Sequence, residues 1–292
     1  VLKAGRSKYN FSTYPVREFP VLPNSQNAKV FCRTNAGDLS KVIEEGTLAA
    51  STGEEFPLYL SSANFQTENG ILNIVSTDTR RLALSGTPVE DSTEGSSSLL
   101  PMKGVKEVQR ILGSLSPDAK IEMLYDGAQL YFQAGSLDFT VRRVESRFPP
   151  YEKILPKGHS TCVALDRGSL ISALERVQVI VRDYNRRGVL DIAAGSRRML
   201  RGGAADLCQA TVLLNAEITG NNLRIAVNSK FFMEALKVMR EPQVLLAFNG
   251  PSGHMAVRRI DSEGFLCLIA PINLSEQELK MDEIDSSGDN GL

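Results

Sequence analysis

The order helix, strands, helix, strands occurs twice in this chain, with a period of about 125 to 130 residues. That period is longer than any solenoid repeat and fits two copies of one domain, each large enough to bury its own core. In the first copy, Gly37 to Ala50 sets Leu39, Val42 and Ile43 at helical spacing behind the cap candidate Asp38. Leu165 to Asp183 repeats the pattern with Leu170, Leu174, Val177 and Val181 behind Asp166. A second matched pair of short amphipathic helices is predicted over Pro101 to Leu112 and Asn228 to Met239. Each is followed by an apolar strand and a turn dipeptide: Ile121 to Tyr125 into Asp126-Gly127, and Val244 to Phe248 into Asn249-Gly250. The runs Ile71 to Val75, Leu82 to Leu84, Gln129 to Gln133 and Leu137 to Val144 alternate, and read as antiparallel strands with one buried face. The expected class is α+β, with tandem repeated domains that each carry two helices on antiparallel sheets.

Three prolines within Arg147 to Lys157 forbid a continuous helix or central strand and mark a linker. Tyr14 to Pro23 is similarly Pro-rich, and Gly5 to Thr13 before it reads as the last strand of a preceding copy. The expected divisions are a remnant of that copy and its linker at 1–23, a full copy with its linker at 24–157, a second at 158–274, and a disordered acidic tail at 275–292.

Composition excludes several classes. With 33 basic and 34 acidic residues the formal charge is −1, so any grip on nucleic acid must come from local patches. No apolar run approaches the roughly 20 residues needed to cross a bilayer, and Val1 to Asn10 lacks the pattern of a signal peptide. A cytoplasmic protein with no membrane contact is expected. Cys32, Cys162, Cys208 and Cys267 are widely spaced with no His beside them, which fits buried thiols in a reducing compartment and no metal or other cofactor. Phosphate-binding loops, dinucleotide fingerprints, zinc-protease motifs and nucleophile elbows are missing. His159 and His254 sit in no carboxylate, Cys or Ser cluster, so catalytic residues are expected to be none.

Ser76 to Ala83, STDTRRLA, follows an apolar strand and by itself reads as a turn with a charge pair. It resembles the signature Thr-Asp-Gly-x-Arg-Leu-Ala of the bacterial sliding clamps, the beta subunits of DNA polymerase III, with Thr79 in place of the glycine. Arg6 to Pro20 resembles the end of that family's first domain, and Leu100 to Leu112 its Pro-x-Lys-x-x-x-Glu-x-x-Arg helix. Arg147 to Pro156 resembles its Arg-Phe-Pro-x-Tyr linker, and Leu268 to Leu274 its terminal Met-Pro-Met-Arg-Leu. These segments stand in the family's order from about residue 2 to 274.

The resemblance implies the DNA clamp fold: three domains per subunit, a homodimeric ring when the first domain is complete, helices around a central hole and sheets outside. It implies a non-catalytic processivity factor that encircles duplex DNA without reading its sequence. Its partners would be the DNA polymerase III catalytic subunit, the clamp loader and other proteins with a clamp motif of the Gln-Leu-x-Leu-Phe kind. Lys103, Lys106 and Arg110 on one helix, Lys230, Lys237 and Arg240 on another, and Tyr59 would face DNA. By residue-by-residue carry-over the peptide pocket would comprise Leu60, Thr77, Thr79, Arg81, Leu82, Pro149, Lys153, Ile154, Leu268, Ala270, Pro271, Ile272 and Leu274. Ala270 and Ile272 replace the family's methionines and Asn273 its arginine, which implies a smaller, stiffer pocket. Ile180 and Val181 would lie at the subunit interface. The acidic tail is expected to lie across the pocket and compete with peptides. Two other readings stay open on sequence: a nuclease using Asp78 and Asp126 as metal ligands, and a peptide-binding adaptor derived from a clamp that no longer closes a ring.

Overall fold

The structure is a computed structural model that describes residues 1–53, 56–181, 187–193, 198–204, 208–260, 262 and 264–274. A hairpin of β1 (Leu2–Ala4) and β2 (Ser7–Tyr9) precedes two repeats. The first repeat comprises β3 (Lys29–Asn35), α1 (Ala36–Gly46), β4 (Ser62–Glu68), β5 (Ile71–Thr77), β6 (Arg81–Pro88) and β7 (Ser97–Pro101), then α2 (Met102–Leu112), β8 (Lys120–Tyr125), β9 (Gln129–Ala134) and β10 (Leu137–Arg142). The second comprises β11 (Thr161–Asp166), α3 (Arg167–Val181), β12 (Arg187–Ile192), β13 (Arg198–Ala204), β14 (Cys208–Leu214), β15 (Ala216–Gly220) and β16 (Leu223–Asn228). It ends with α4 (Ser229–Val238), β17 (Gln243–Phe248), β18 (Met255–Arg258), β19 (Phe265–Ile269) and β20 (Pro271–Ile272).

Pairing within the two repeats is the same. β3 pairs with β8, followed by β9 and β10, as β11 pairs with β17, followed by β18 and β19. β7, β4, β5 and β6 lie side by side, as do β16, β12, β13 and β14. Where β15 flanks β11 in the second repeat, the first has only an isolated bridge from Arg33 to Glu90. Within the segment Gly5 to Thr13, Ser7–Tyr9 forms one strand, β2, which pairs with β1 just upstream. Gly5, at φ +58°, turns the chain so that Ala4 faces Ser7, just as Gly135 at φ +61° sets Ala134 opposite Leu137 between β9 and β10. The two hairpins thus turn in the same way.

Local chemistry explains the helices. α1 is capped by Asn35, whose Oδ1 accepts the Asp38 N–H at 2.8 Å, and not by Asp38 as the sequence suggested. Asp38 sits in the first turn, where a carboxylate favours the helix dipole, and takes a bond from Asn35 Nδ2. Asn228 caps α4 through Lys230 N–H at 3.0 Å, and Asp166 holds Ser169 N–H at 2.7 Å at the start of α3. Gly46 allows α1 to lie on β5: a Cβ there would stand 2.4 Å from the Ile74 carbonyl oxygen.

Each repeat has its own core. Leu39, Val42 and Ile43 of α1 and Val105 and Val108 of α2 pack on Phe31, Phe65, Ile74 and Phe132. Leu170, Leu174 and Val177 of α3 and Phe232 and Leu236 of α4 pack on Leu190, Ile225, Leu246 and Phe265. The repeats then join edge to edge. β6 of the first pairs antiparallel with β19 of the second, making one nine-stranded sheet in the order β15-β11-β17-β18-β19-β6-β5-β4-β7.

Candidate functional site

The seam between β6 and β19 sorts its side chains by the alternation of a strand. Leu82 stands opposite Leu268, and Arg81 opposite Ile269. Leu82, Leu84, Leu266 and Leu268 turn to one face, where Phe148, Tyr151 and Leu155 of the proline-rich linker cover them. Cys267 and Ile269 turn the other way into the helical core, as does Ser85, which bonds to Glu45 of α1. The linker and the helices thus occupy opposite faces of one sheet.

Of the pocket candidates, Leu82 and Leu268 pack under the linker. The Ala270 N–H donates to the Arg80 carbonyl at 2.9 Å, setting the β5–β6 loop beside residues 270–274. Thr77 Oγ1 donates to the Arg81 carbonyl at 2.7 Å and accepts the Thr79 N–H at 3.1 Å, which shapes that loop. Thr79 is exposed with φ +73°, a conformation natural to the glycine it replaces. Pro149, Ala270, Pro271, Ile272 and Leu274 are half-buried, and Lys153 and Ile154 are exposed. Leu82 and Leu268 are 2% and 1% exposed, so they form the core of the seam and not an open wall. Leu60 is buried in a 3-10 turn, Leu58–Ser61.

Arg81 does not join that surface. One residue from Leu82 along the strand, it points to the helices. Its Nε donates to Asp78 at 3.0 Å, its Nη1 donates to Glu234 of α4 at 2.5 Å, and its guanidinium lies 4.2 Å from the centre of the Phe231 ring. Asp78 was legible three residues upstream in the same motif. Glu234 and Phe231 carried no sequence signal, because the contact spans 153 residues.

On the helical side, α1, α2 and α4 border a cavity of about 650 Å³ whose rim includes Ile43, Met102, Lys106, Lys230, Phe231 and Glu234. Lys103, Lys106 and Arg110 are exposed on α2. Arg110 pairs with Glu107 at 2.8 Å, Lys230 with Glu234, Lys237 with Glu175 and Arg240 with Glu44, the last three at 3.7 Å. Lys103 and Lys106 have no such ion pair among the described residues, nor have Lys41 of α1 and Arg176 of α3. Tyr59 is elsewhere: its ring meets Phe148 edge-on at 6.0 Å, on the linker side. α3 runs to Val181, but the side chains of Ile180 and Val181 lie outside the described residues, as does the acidic segment 275–292.

A buried ionic cluster spans the far end of the seam. Arg259, 7% exposed, donates to Glu45 of α1 and, at 2.6 Å, to Glu241. Glu45 also accepts the Ser85 hydroxyl at 2.6 Å. Burial pushes the Glu45 carboxyl above its ordinary pKa, against the lowering effects of Ser85 and Arg259.

The candidate metal ligands Asp78 and Asp126 are committed to their own turns. Asp126 accepts the Ala128 and Gln129 N–H groups and the Tyr131 hydroxyl, at 2.9, 2.8 and 2.6 Å. The Tyr131 bond holds the Asp126 pKa down, and the Tyr131 hydroxyl is pushed up to about 12. Asp78 accepts from Arg80 N–H and Arg81 N–H, each at 3.0 Å. Among the described residues no three His, Cys, Asp or Glu side chains are grouped to hold a metal, and no helix is long and apolar enough to cross a membrane.

A doubled α+β unit, one sheet continued across the seam and helices gathered on one of its faces define the DNA clamp fold. Family models described as the central and C-terminal domains of the DNA polymerase III beta subunit match residues 34–150 and 152–273. The chain belongs to the DNA polymerase III beta subunit family, the beta sliding clamps. It is 26% identical over 276 residues to the beta sliding clamp of Pseudomonas putida, covering 94% of this chain and 74% of that one. With the beta sliding clamp of Staphylococcus epidermidis it shares 24% over 274 residues, covering 93% and 71%. The crystal structure of the Thermotoga maritima DNA polymerase III beta subunit superimposes with a TM-score of 0.83 at 26% identity, covering 94% of this chain and 73% of that one. A Pseudomonas aeruginosa sliding clamp bound to griselimycin gives 0.83 at 24%, covering 93% and 73%, a likeness of fold.

Proposed function

We propose that this chain is a non-catalytic sliding-clamp subunit that helps to encircle duplex DNA and tethers DNA polymerase III and other clamp-motif proteins through a peptide pocket at its inter-repeat seam. One observation carries the reading: β6 of one repeat joins β19 of the next. This joint uses unlike edges, so it can be repeated from subunit to subunit until a ring closes. A ring around DNA needs only loose, sequence-blind contacts. The helical layer suits that role, because Arg110, Lys230, Lys237 and Arg240 are each paired with an acid, while Lys103 and Lys106 carry no ion pair among the described residues. Topology then does what chemistry would do in an enzyme, holding a tethered polymerase at high local concentration. The divisions at 24–157 and 158–274 are the units of this assembly, and the clamp loader and polymerase catalytic subunit are the partners that compete for the pocket.

On the opposite face Pro149, Ile154, Pro271, Ile272 and Leu274 supply the apolar surface that the Leu and Phe anchors of a short motif require. A fluorescent Gln-Leu-x-Leu-Phe peptide titrated with the full chain tests this. Saturable binding, lost in Ile272→Arg, is the expected result. Equal affinity in that variant, or no binding by the parent chain, would overturn the pocket.

A further inference from the structure

Resting on the pocket reading above, we infer that Glu234, on the second repeat's α4, is a positioning residue that sets the shape of the peptide pocket through Arg81. Both walls of the pocket hang on the β16–α4 unit. The wall at 270–274 is tied by β20, which pairs with β16 so that Ile272 faces Ala226 and Pro271 faces Val227. β16 ends at Asn228, which caps α4, and Glu234 lies less than two turns further on. The other wall is the β5–β6 loop of the first repeat. Asp78 fixes that loop from within, taking the Arg80 and Arg81 N–H groups on one oxygen and Arg81 Nε on the other. Arg81 then extends along the helical face of the sheet to Glu234 and stacks on Phe231.

Asp78, Arg81, Glu234 and Lys230 therefore form a line of alternating charge from the pocket loop to the helical face. The Arg81 side chain is only 9% exposed and is held between Asp78 and Glu234, the latter 32% exposed at the cavity rim. A fork of fixed donors held by two carboxylates restrains direction as well as distance. Without Glu234, Arg81 keeps its bond to Asp78 but loses its bond to α4, and the loop is free to shift against residues 270–274. Arg81 thus acts on peptide binding from the far face of the sheet.

The experiment uses the full chain, the labelled Gln-Leu-x-Leu-Phe peptide, and the variants Glu234→Ala, Arg81→Ala and both together. Each single variant should weaken the peptide roughly tenfold, and the double variant no more than either, as groups acting through one contact do. Amide exchange at Arg80 and Arg81 should quicken in Glu234→Ala. Glu175→Gln, which removes a different ion pair of α4, should leave affinity unchanged. Losses that multiply in the double variant, or an equal loss in Glu175→Gln, overturn the proposal. If the parent chain binds no such peptide the pocket reading fails by itself, and unchanged exchange at Arg80 and Arg81 would then overturn the strut. Should Glu234→Ala lose its cooperative melting, Glu234→Gln, which keeps size and removes charge, decides by the same readouts.

Discussion

Arg259→Met removes the cation from the buried cluster and leaves Glu45 facing the seam without it. Glu45 is 1% exposed and retains only the Ser85 hydroxyl as a close partner. Stranding one member of a buried ion pair costs roughly 3–5 kcal/mol. The protein has a way to limit that loss, which is to protonate Glu45. At pH 7, protonating a carboxyl whose ordinary pKa is 4.5 costs about 3.4 kcal/mol, and at pH 5 about 0.7 kcal/mol. The sign is fixed by the parent structure. Burial already raises this carboxyl and Arg259 lowers it, so removing Arg259 raises it further. A carboxyl raised in the folded state contributes stability that is complete below its unfolded pKa and is lost as pH rises through the folded value. The deficit of Arg259→Met should therefore be small near pH 5 and reach about 3 kcal/mol at pH 7. Urea unfolding of parent and variant at the two pH values measures it. Adding Glu45→Leu should recover most of the pH 7 loss, because Ser85 keeps the Gly264 carbonyl as a partner at 3.1 Å. An equal deficit at pH 5 and pH 7 would refute the assignment of the loss to Glu45.

Two further outcomes follow from the site. Replacing both Lys103 and Lys106 by glutamine should lower the salt dependence of duplex binding by about 1.8 in log–log slope, measured by anisotropy over a salt series, whereas Arg110→Gln should change it less because Glu107 already neutralises Arg110. Thr79→Gly should raise the urea midpoint, since relief of a left-handed threonine is worth up to about 1 kcal/mol; a lowered midpoint would show that Thr79 contributes contacts that outweigh its backbone conformation.

The repeated helices and turns were legible because they are written in nearby residues. Leu39, Val42 and Ile43 fall on the buried face of α1, and Asp126-Gly127 turns β8 into β9. The cap candidate Asp38 lies about one turn past Asn35, which caps α1, because both residue types cap helices and only the backbone decides which N–H lies in reach. The continuous sheet was not legible. Nothing local tells β6 that its outer neighbour is β19, some 180 residues later. The same blindness put Arg81 and Leu82 on one wall. A shared motif places two residues together in the chain, while the pleat of a strand sends them to opposite faces. Leu82 became core under Tyr151 and Arg81 became a strut to α4.

The edge-to-edge joint has a consequence for supply and demand of strand edges. Each repeat offers one edge of the β6 kind and consumes one of the β19 kind, so joining two repeats satisfies one of each and leaves another of each. Among the described residues those terminal edges are β14, the counterpart of β6, and β10, the counterpart of β19. They are unlike, so the two-repeat unit has a polarity, with a leading and a trailing edge. Such a unit has two fates when copies meet: the accumulated rotation brings leading end to trailing end and growth stops, or it does not and growth continues as a filament. The angle set at β6–β19 would decide between the two, and ion pairs stand at both ends of that seam, Arg81 with Glu234 and Arg259 with Glu45.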